Sequence, residues 1–505
     1  MPSDPIRVGV VVDGPTIDRW MARLLDAITA SPVATLAAIH VDAAPARPPV
    51  SALASLFRTV DRRWFGNRGT LLAPVDVAAR AAAGPIDAWL CLGTRRTAPD
   101  GGAPRLGVWT LHAGGLSTDR LDDWAVMDVL LRRGFISVEL RAQVGREPAR
   151  LLGRTLAQTD GRSPLRAREH IVPSAQVLVL KALTRAIRGA DALFVDDRLT
   201  NPAFDAAPAA LGNRQMALLL ADHALRIARE RFDRAAYDTS WALAWQIDAR
   251  FPSSRPFHLA VPPADRFWAD PFIGFDRGRR YVFFEELRYA RPTGEIAMMA
   301  IDDDGTPSAP EVVLARPYHL SFPYVFARDG EHFMIPETSA AGQIELYRAR
   351  RFPHDWELAD VIMPATSAAD VTLLEHGGRW WMFADLAKDG THTHCETLHL
   401  FHAPDPRGPW TPHRENPIVW SIEHARPAGA VFRVDEKLIR PAQDCKDSYG
   451  RATVLHEITT LTPDRYEERV VQRLEPDWDP RITGVHTFNR QGDVTVIDCK
   501  LRVPR

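Results

Sequence analysis

Polar groups recur at one spacing through the second half of the chain. Asp270 is followed after 15 residues by Glu285, Phe322 by Glu337, and Asp370 by Asp385. In two further segments of similar design, Arg426 precedes Gln443 and Asp444, and His486 precedes Asp498. A carboxyl group can act as base, nucleophile or acid, according to the protonation state its surroundings impose. Several of them gathered at one point would make a site.

The elements that could gather them are legible. The five segments are FWADPFIGFDRGRRYVFFEE (267–286), LSFPYVFARDGEHFMIPET (320–338), AADVTLLEHGGRWWMFAD (368–385), ARPAGAVFRVDEKLIRPAQD (425–444) and GVHTFNRQGDVTVID (484–498). Each is an apolar run, a Gly/Asp/Asn turn and a second apolar run, which predicts a β-hairpin. Their starting points, Asp270, Phe322, Asp370, Arg426 and His486, are 52, 48, 56 and 60 residues apart, the period of a propeller blade. A hairpin brings the start of its first strand and the end of its second to one end of the sheet. Residues 239–505 therefore read as an all-β five-bladed β-propeller whose central mouth is lined by these groups. The Trp-rich run TSWALAWQI (239–247) is placed to close the ring.

Residues 1–200 alternate strand and helix. Strands are predicted at 6–13, 33–41, 86–93, 106–114 and 135–142, with Ile17, Met21, Leu24 and Ile28 at helical spacing between the first two. This βαβ pattern predicts a Rossmann-like α/β domain around a mainly parallel sheet. Residues 201–238 read as a helical linker. Its stripe Leu218, Ala221, Leu225, Ala228 and Phe232 is expected to pack between the halves.

Composition excludes several classes. A formal charge of −2 over 505 residues offers no basic field for nucleic acid. No run reaches the ~20 apolar residues of a membrane span. Cys91, Cys395, Cys445 and Cys499 show no framework or C-x-x-C spacing and read as reduced thiols, and with no leader evident a cytoplasmic location is expected. The segment THTHCETLHLFH (391–402) offers His392 and His394 as a metal pair, but its second half alternates like a half-buried strand, so no metal is assigned.

Three resemblances sharpen these readings. W-A-D-P-F (268–272) resembles the opening of five-bladed propeller glycosidases of the arabinanase, xylosidase and invertase type. That resemblance implies a base or nucleophile at Asp270 and a stabilising carboxylate at Asp370. Sugar chemistry needs both faces of an oxocarbenium-like centre served. Where those enzymes carry an acid at the head of the fourth blade, this chain has Arg426, which does not titrate. The acid then falls to Glu337, Glu285 or Glu286, with Arg426, Arg440, Gln443, Asp444, Asp385 and His486 as substrate contacts. His486 also occupies the position where related propellers keep a histidine near a structural ion.

Over residues 240–505, the segments WADPF, PYHLSFPYVF, MIPET, IELYRARRFPHDW, LHLFHAPDPRGPWTPH, ARPAG and RPAQDC resemble the N-terminal region of plant glucosamine inositolphosphorylceramide transferases and the bacterial proteins that share it. The implied context is a sugar or glycolipid. LGVWTLHAGG (106–115) resembles a formyltransferase fold that uses a folate-borne formyl group. Thr110 stands at the family's Asn, His112 at its His and Glu147 nearest its Asp, which implies a degenerate remnant.

The expected function is thus glycosyl transfer or glycoside hydrolysis at a mouth lined by Asp270, Glu337 and Asp370. The alternatives are a non-catalytic glycan- or lipid-headgroup-binding module assisting a partner glycosyltransferase, and a formyl or acyl transferase on an amino sugar. No cofactor is expected, folate only if the first domain is active.

Overall fold

The protein is described by a computed structural model covering residues 4–43, 52–65, 71–82, 84–99, 101–131, 133–189, 193–195, 212–252, 256–291, 293–386, 395–446 and 448–504. It divides into two compact units, Met1–Glu230 and Arg231–Arg505.

The first unit is built on one sheet. Its strands run in the order Ala34–Asp42, Ile6–Asp13, Ala88–Cys91, Val108–Ala113, Phe135–Gln143 and Arg150–Gln158. The first four are mutually parallel, as βαβ alternation predicts. Phe135–Gln143 is antiparallel to both of its neighbours, so the sheet is mixed rather than mainly parallel. The turn 144–149 is too short for a crossover, and the chain can only fold straight back into the unforeseen strand Arg150–Gln158. Helix Arg19–Thr29 buries Trp20, Met21, Leu24 and Ile28. Ile17 belongs to a short strand before it. Helix Pro164–Ala186 starts at Ser163, whose Oγ accepts from the Arg166 N–H at 3.2 Å, with Pro164 in the first turn.

The helix Asn213–Ala236 corrects one expectation. Leu218, Leu225 and Phe232 are 65%, 50% and 72% exposed, so that stripe is not packed. The buried face carries Met216 and His223, with Leu219 and Leu220 against Ala54, Val126 and Leu130. These positions share a helical period too, which is why apolar spacing alone chose the wrong face.

The second unit is a five-bladed β-propeller. Four blades begin at strands Arg266–Asp276, Ser321–Arg328, Ala368–His376 and Phe432–Val434, each followed through its sheet by the next strands in the chain. The fifth blade combines the two ends of the unit. Strand Tyr237–Ile247 pairs along its whole length with Val494–Pro504, so the Trp-rich run closes the ring. Five apolar clusters glue neighbouring blades. Phe283 packs with Trp356 between the first and second, Phe322 with Val371 between the second and third, and Trp381 with Ile458 between the third and fourth. Phe432 with Ile497 and Trp245 with Val282 complete the circle. A sheet that is buried on both faces only by its neighbours makes the ring the cooperative unit.

One backbone device repeats at the axis. Asp270, Phe322 and Asp370 all adopt left-handed φ, at 54°, 44° and 54°. Each sits where the strand pairing skips, between Ala269 and Phe272, Ser321 and Tyr324, and Ala369 and Thr372. These are β-bulges, which re-aim a side chain at the cost of strain. The shared 15-residue spacing is the sequence trace of that device.

Candidate active site at the propeller mouth

The bulges and the ends of the second strands bring carboxyl groups of four blades within electrostatic reach. Asp270, Glu285, Asp370, Asp385 and Asp498 are all buried. Arg426 and His486 stand among them.

One corner joins the first and fifth blades. The Thr487 hydroxyl donates to Asp270 Oδ1 at 2.9 Å, and His486 Nε2 lies 3.3 Å from the same oxygen. His486 Nδ1 is 2.6 Å from Asp498 Oδ2, and Asp498 also accepts from the backbone N–H groups of Asp270, His486 and Thr487. Burial tends to discharge His486, but Asp498 and Asp270 prevail and raise its pKa. The ring is held between Trp241, stacked at 4.0 Å, and Tyr449. Gly450 permits that closeness, since a Cβ there would come within 2.8 Å of His486 Cβ. Burial pushes Asp270 up to about 6 despite the pull of His486.

Glu285 is in a different state. Burial, then the charges of Asp270, Glu337, Asp498 and Asp370, raise its pKa well above the usual carboxylate range. Its Oε1 has no hydrogen-bond partner, although His319 Nε2 is 3.3 Å away. His319 Nδ1 accepts from the Gly294 N–H at 2.9 Å, which leaves the proton on Nε2. Gly294 is required here because a Cβ would meet Glu285 Oε1 at 2.7 Å. Glu285 therefore stands near Asp270 with its proton favoured by burial and by the surrounding carboxylates.

The opposite corner joins the third and fourth blades. Arg426 donates to Asp370 through Nε at 2.6 Å and Nη2 at 3.4 Å, and Gln443 Nε2 donates at 3.1 Å. Burial raises Asp370 to about 6 against the opposing field of Arg426. Asp385 accepts from the Thr397 hydroxyl at 3.2 Å, and burial keeps its pKa high. Glu337, from the second blade, accepts from Ser321 and Ser339.

Three sequence candidates lie off the mouth. Glu286 turns into the first blade, to Arg266, Arg288 and the Trp268 Nε1–H. Arg440 is committed inside the fourth blade to Glu468, at 2.8 and 2.7 Å, and to the His424 carbonyl. Asp444 faces Arg473 and Arg451. Side chains alternate along a strand, so the neighbours of Glu285 and Gln443 must point to the other face. The pair His392 and His394 lies outside the described residues. Sequence reasoning missed Thr487, Trp241, Tyr449 and His319, which reach the mouth from loops and outer strands without a periodic signal.

Asp270, His486 and Asp498 present ligand atoms within 4.8 Å of one another, a geometry that could hold a cation in place of the proton on His486. In the first unit, Thr110 Oγ1 and His112 Nε2 are 3.0 Å apart. Glu147 is in the turn beside Val108, at the start of the strand whose end carries His112, so the structure does not bring it to that pair. Glu139 is the residue opposite His112.

The architecture is that of a five-bladed propeller with an acidic mouth. Residues 244–481 match the family described as glucosamine inositolphosphorylceramide transferase 1, N-terminal. Glucosamine inositolphosphorylceramide transferase 1 from Oryza sativa subsp. japonica is 33% identical over 227 residues, 43% of this chain and 30% of that protein. Its counterpart from Arabidopsis thaliana is 35% identical over 229 residues, 45% of this chain and 30% of that protein. The matched stretch thus spans less than a third of these relatives. Among solved structures, a family 117 glycoside hydrolase from Zobellia galactanivorans aligns with TM-score 0.35 and 13% identity, over 52% of this chain and 90% of its own. An α-L-arabinanase from Cellvibrio cellulosa aligns with TM-score 0.32 and 14% identity, over 40% and 77%. No helix among the described residues is long and apolar enough to cross a membrane.

Proposed function

We propose that the propeller is a carbohydrate-active domain that transfers or hydrolyses a glycosyl group at its mouth. In this reading Asp270 is the base or nucleophile and Glu285 the proton donor, while Asp370 stabilises positive charge developing on the sugar. The observation that carries it is the split between two neighbouring carboxyl groups. Glu285 is pushed well above the usual carboxylate range by burial and surrounding charge, while Asp270, tied to Thr487 and His486, is raised to about 6. Such a split is what acid and base roles require. The sugar or glycolipid context rests on the relatives' name, which speaks of glucosamine and an inositolphosphorylceramide. Glu285 takes the acid role that Arg426 cannot fill.

The test compares wild type and Glu285→Gln on aryl glycosides of graded leaving-group acidity. If Glu285 is the acid, turnover of poor leaving groups falls by about 10²–10⁴. Activated leaving groups, which need no proton, are spared. An equal loss on all substrates would remove Glu285 from that role.

A second reading, a binding module that assists a separate glycosyltransferase, is favoured by the Arg426–Asp370 pair, which neutralises one of the carboxylates a hydrolase would use. It expects saturable sugar binding with no product. For the first unit we infer a formyltransferase-like remnant without activity, because the Thr110 hydroxyl is engaged with His112 and Glu147 is out of reach. Folate-dependent formylation of an amino sugar that vanishes in His112→Ala would reverse that inference.

A further inference from the structure

The four cysteines of the chain are free, and they divide into two kinds. Cys91 and Cys499 are buried in apolar cores, where burial pushes their thiols up, Cys91 to about 12. Such thiols are inert. Cys395 and Cys445 are different, because they meet at the rim of the mouth where the third blade faces the fourth. Cys445 is the neighbour that acts most strongly on the Cys395 thiol, and Cys395 on that of Cys445. Arg426 Nη1 donates to Cys395 Sγ at 3.8 Å, and Cys445 Sγ is 3.7 Å from Gln443 Oε1. Cys395 is partly accessible, whereas Cys445 is 1% exposed.

The sulfur of Cys395 thus accepts from a guanidinium and has a thiol as its neighbour, which favours its anion. The Cys445 thiol, and then the charge of Arg426, outweigh burial and lower its pKa to about 6. Cys445 is shifted the other way, well above an ordinary thiol. A half-buried thiol whose anion is favoured, beside a fully buried thiol whose anion is disfavoured, is the arrangement of an attacking and a resolving cysteine. Nothing in the sugar chemistry uses either group.

We propose that Cys395 and Cys445 form a peroxide-sensitive dithiol, in which Cys395 is oxidised first and Cys445 closes a disulfide across the third and fourth blades. The Cys395 thiolate attacks one oxygen of hydrogen peroxide; the S–O bond forms, the O–O bond breaks, and the departing hydroxide takes up a proton as water. Cys395, oxidised by two electrons, is then a sulfenic acid. Cys445 loses its proton and attacks that sulfur, the S–O bond breaks, and the hydroxide released leaves with that proton as a second water. The disulfide removes the anion beside Arg426 and links the Cys395 segment to the end of strand Lys437–Asp444, so oxidation reports directly on the Asp370 corner. The step uses peroxide alone and is independent of the carbohydrate reading.

The experiment treats the full chain with one equivalent of hydrogen peroxide at pH 6.5, alkylates the remaining thiols with iodoacetamide and maps the peptides. The expected product is a Cys395–Cys445 linked peptide, reversed by dithiothreitol, with Cys91 and Cys499 alkylated only after unfolding. In Cys445→Ser the reaction stops at Cys395, which dimedone then labels at least tenfold faster than Cys91 or Cys499. Should that variant fail to fold, the pH dependence of Cys395 alkylation in the native wild type decides, with a midpoint below that of a free thiol expected. Equal labelling of all four cysteines, dimedone on any other residue, or an ordinary thiol midpoint at Cys395 would overturn the proposal.

Discussion

The two corners of the mouth start from one backbone solution and end with different partners, although burial raises both carboxyls to about 6. Asp270 and Asp370 occupy equivalent bulges with the same left-handed φ of 54°. Asp270 meets a hydroxyl and a histidine that itself leans on Asp498, whereas Asp370 is clasped by Arg426 and Gln443. The bulge decides where a carboxylate goes, and the neighbouring blade decides its charge. A corner answered by a titratable partner can exchange protons, while one answered by a guanidinium is fixed. In the proposed function the first corner carries the proton chemistry and the second the charge stabilisation.

The comparison breaks most visibly if the fixed corner is disarmed. Arg426→Met leaves Asp370 buried without its cation, and the expected loss is about 3–5 kcal/mol, read by urea unfolding. Asp370→Asn in the same protein should recover much of that loss, since the uncompensated charge is gone. Absence of recovery would mean that Arg426 acts through packing.

A smaller effect concerns the proton on Glu285. Its folded pKa is raised, so the native state binds a proton that the unfolded chain has already released. Wild-type stability is therefore lost as pH rises above the ordinary glutamate range, by about 1.4 kcal/mol for each tenfold fall in proton concentration until the buried carboxyl ionises. Glu285→Gln carries no charge to bury and should be more stable than wild type at pH 8, with the gap narrowing toward pH 4. Glu286→Gln should behave oppositely at neutral pH. Glu286 is held low by the Trp268, Arg288 and Arg266 side chains, which outweigh its burial, and its stabilising contribution is present above the ordinary glutamate pKa and lost on acidification. Unfolding curves of the two variants at both pH values separate adjacent residues.

The smallest effect sharpens the titratable corner. Thr487→Val removes the hydroxyl from Asp270 and should cost about 2 kcal/mol, as expected for a hydrogen bond to a charged group. It should also raise the pKa of Asp270, visible as an alkaline shift in the acid limb of any activity profile. An unchanged limb would remove Thr487 from the proton chemistry.

How much of this was legible follows from the physics of strands. The propeller and the positions Asp270, Glu285, Asp370 and His486 could be read because turn residues and the 15-residue spacing are local signals. Glu286, Arg440 and Asp444 were placed at the mouth wrongly, although alternation puts residues an odd number of positions from Glu285 or Gln443 on the other face. Thr487, Tyr449 and His319 were invisible because they depend on which blade neighbours which, and no local pattern encodes that. In the first unit the predicted strands formed, but the strand Arg150–Gln158 was unforeseen and the reversal of Phe135–Gln143 was not legible, because an apolar strand looks the same in either direction. The stripe Leu218, Leu225 and Phe232 misled for a related reason: a helix can carry two apolar faces, and only the fold selects the buried one.

The most direct test of the central claim is a paired measurement on Asp270→Asn, a binding isotherm and a product assay with the same glycoside or activated sugar. Asparagine preserves shape and most hydrogen bonding while removing the charge needed in the transition state. The account predicts an affinity within a few fold of wild type and turnover lower by at least about a thousandfold, some 4 kcal/mol of transition-state stabilisation. Turnover equal to wild type, with binding intact, would contradict it.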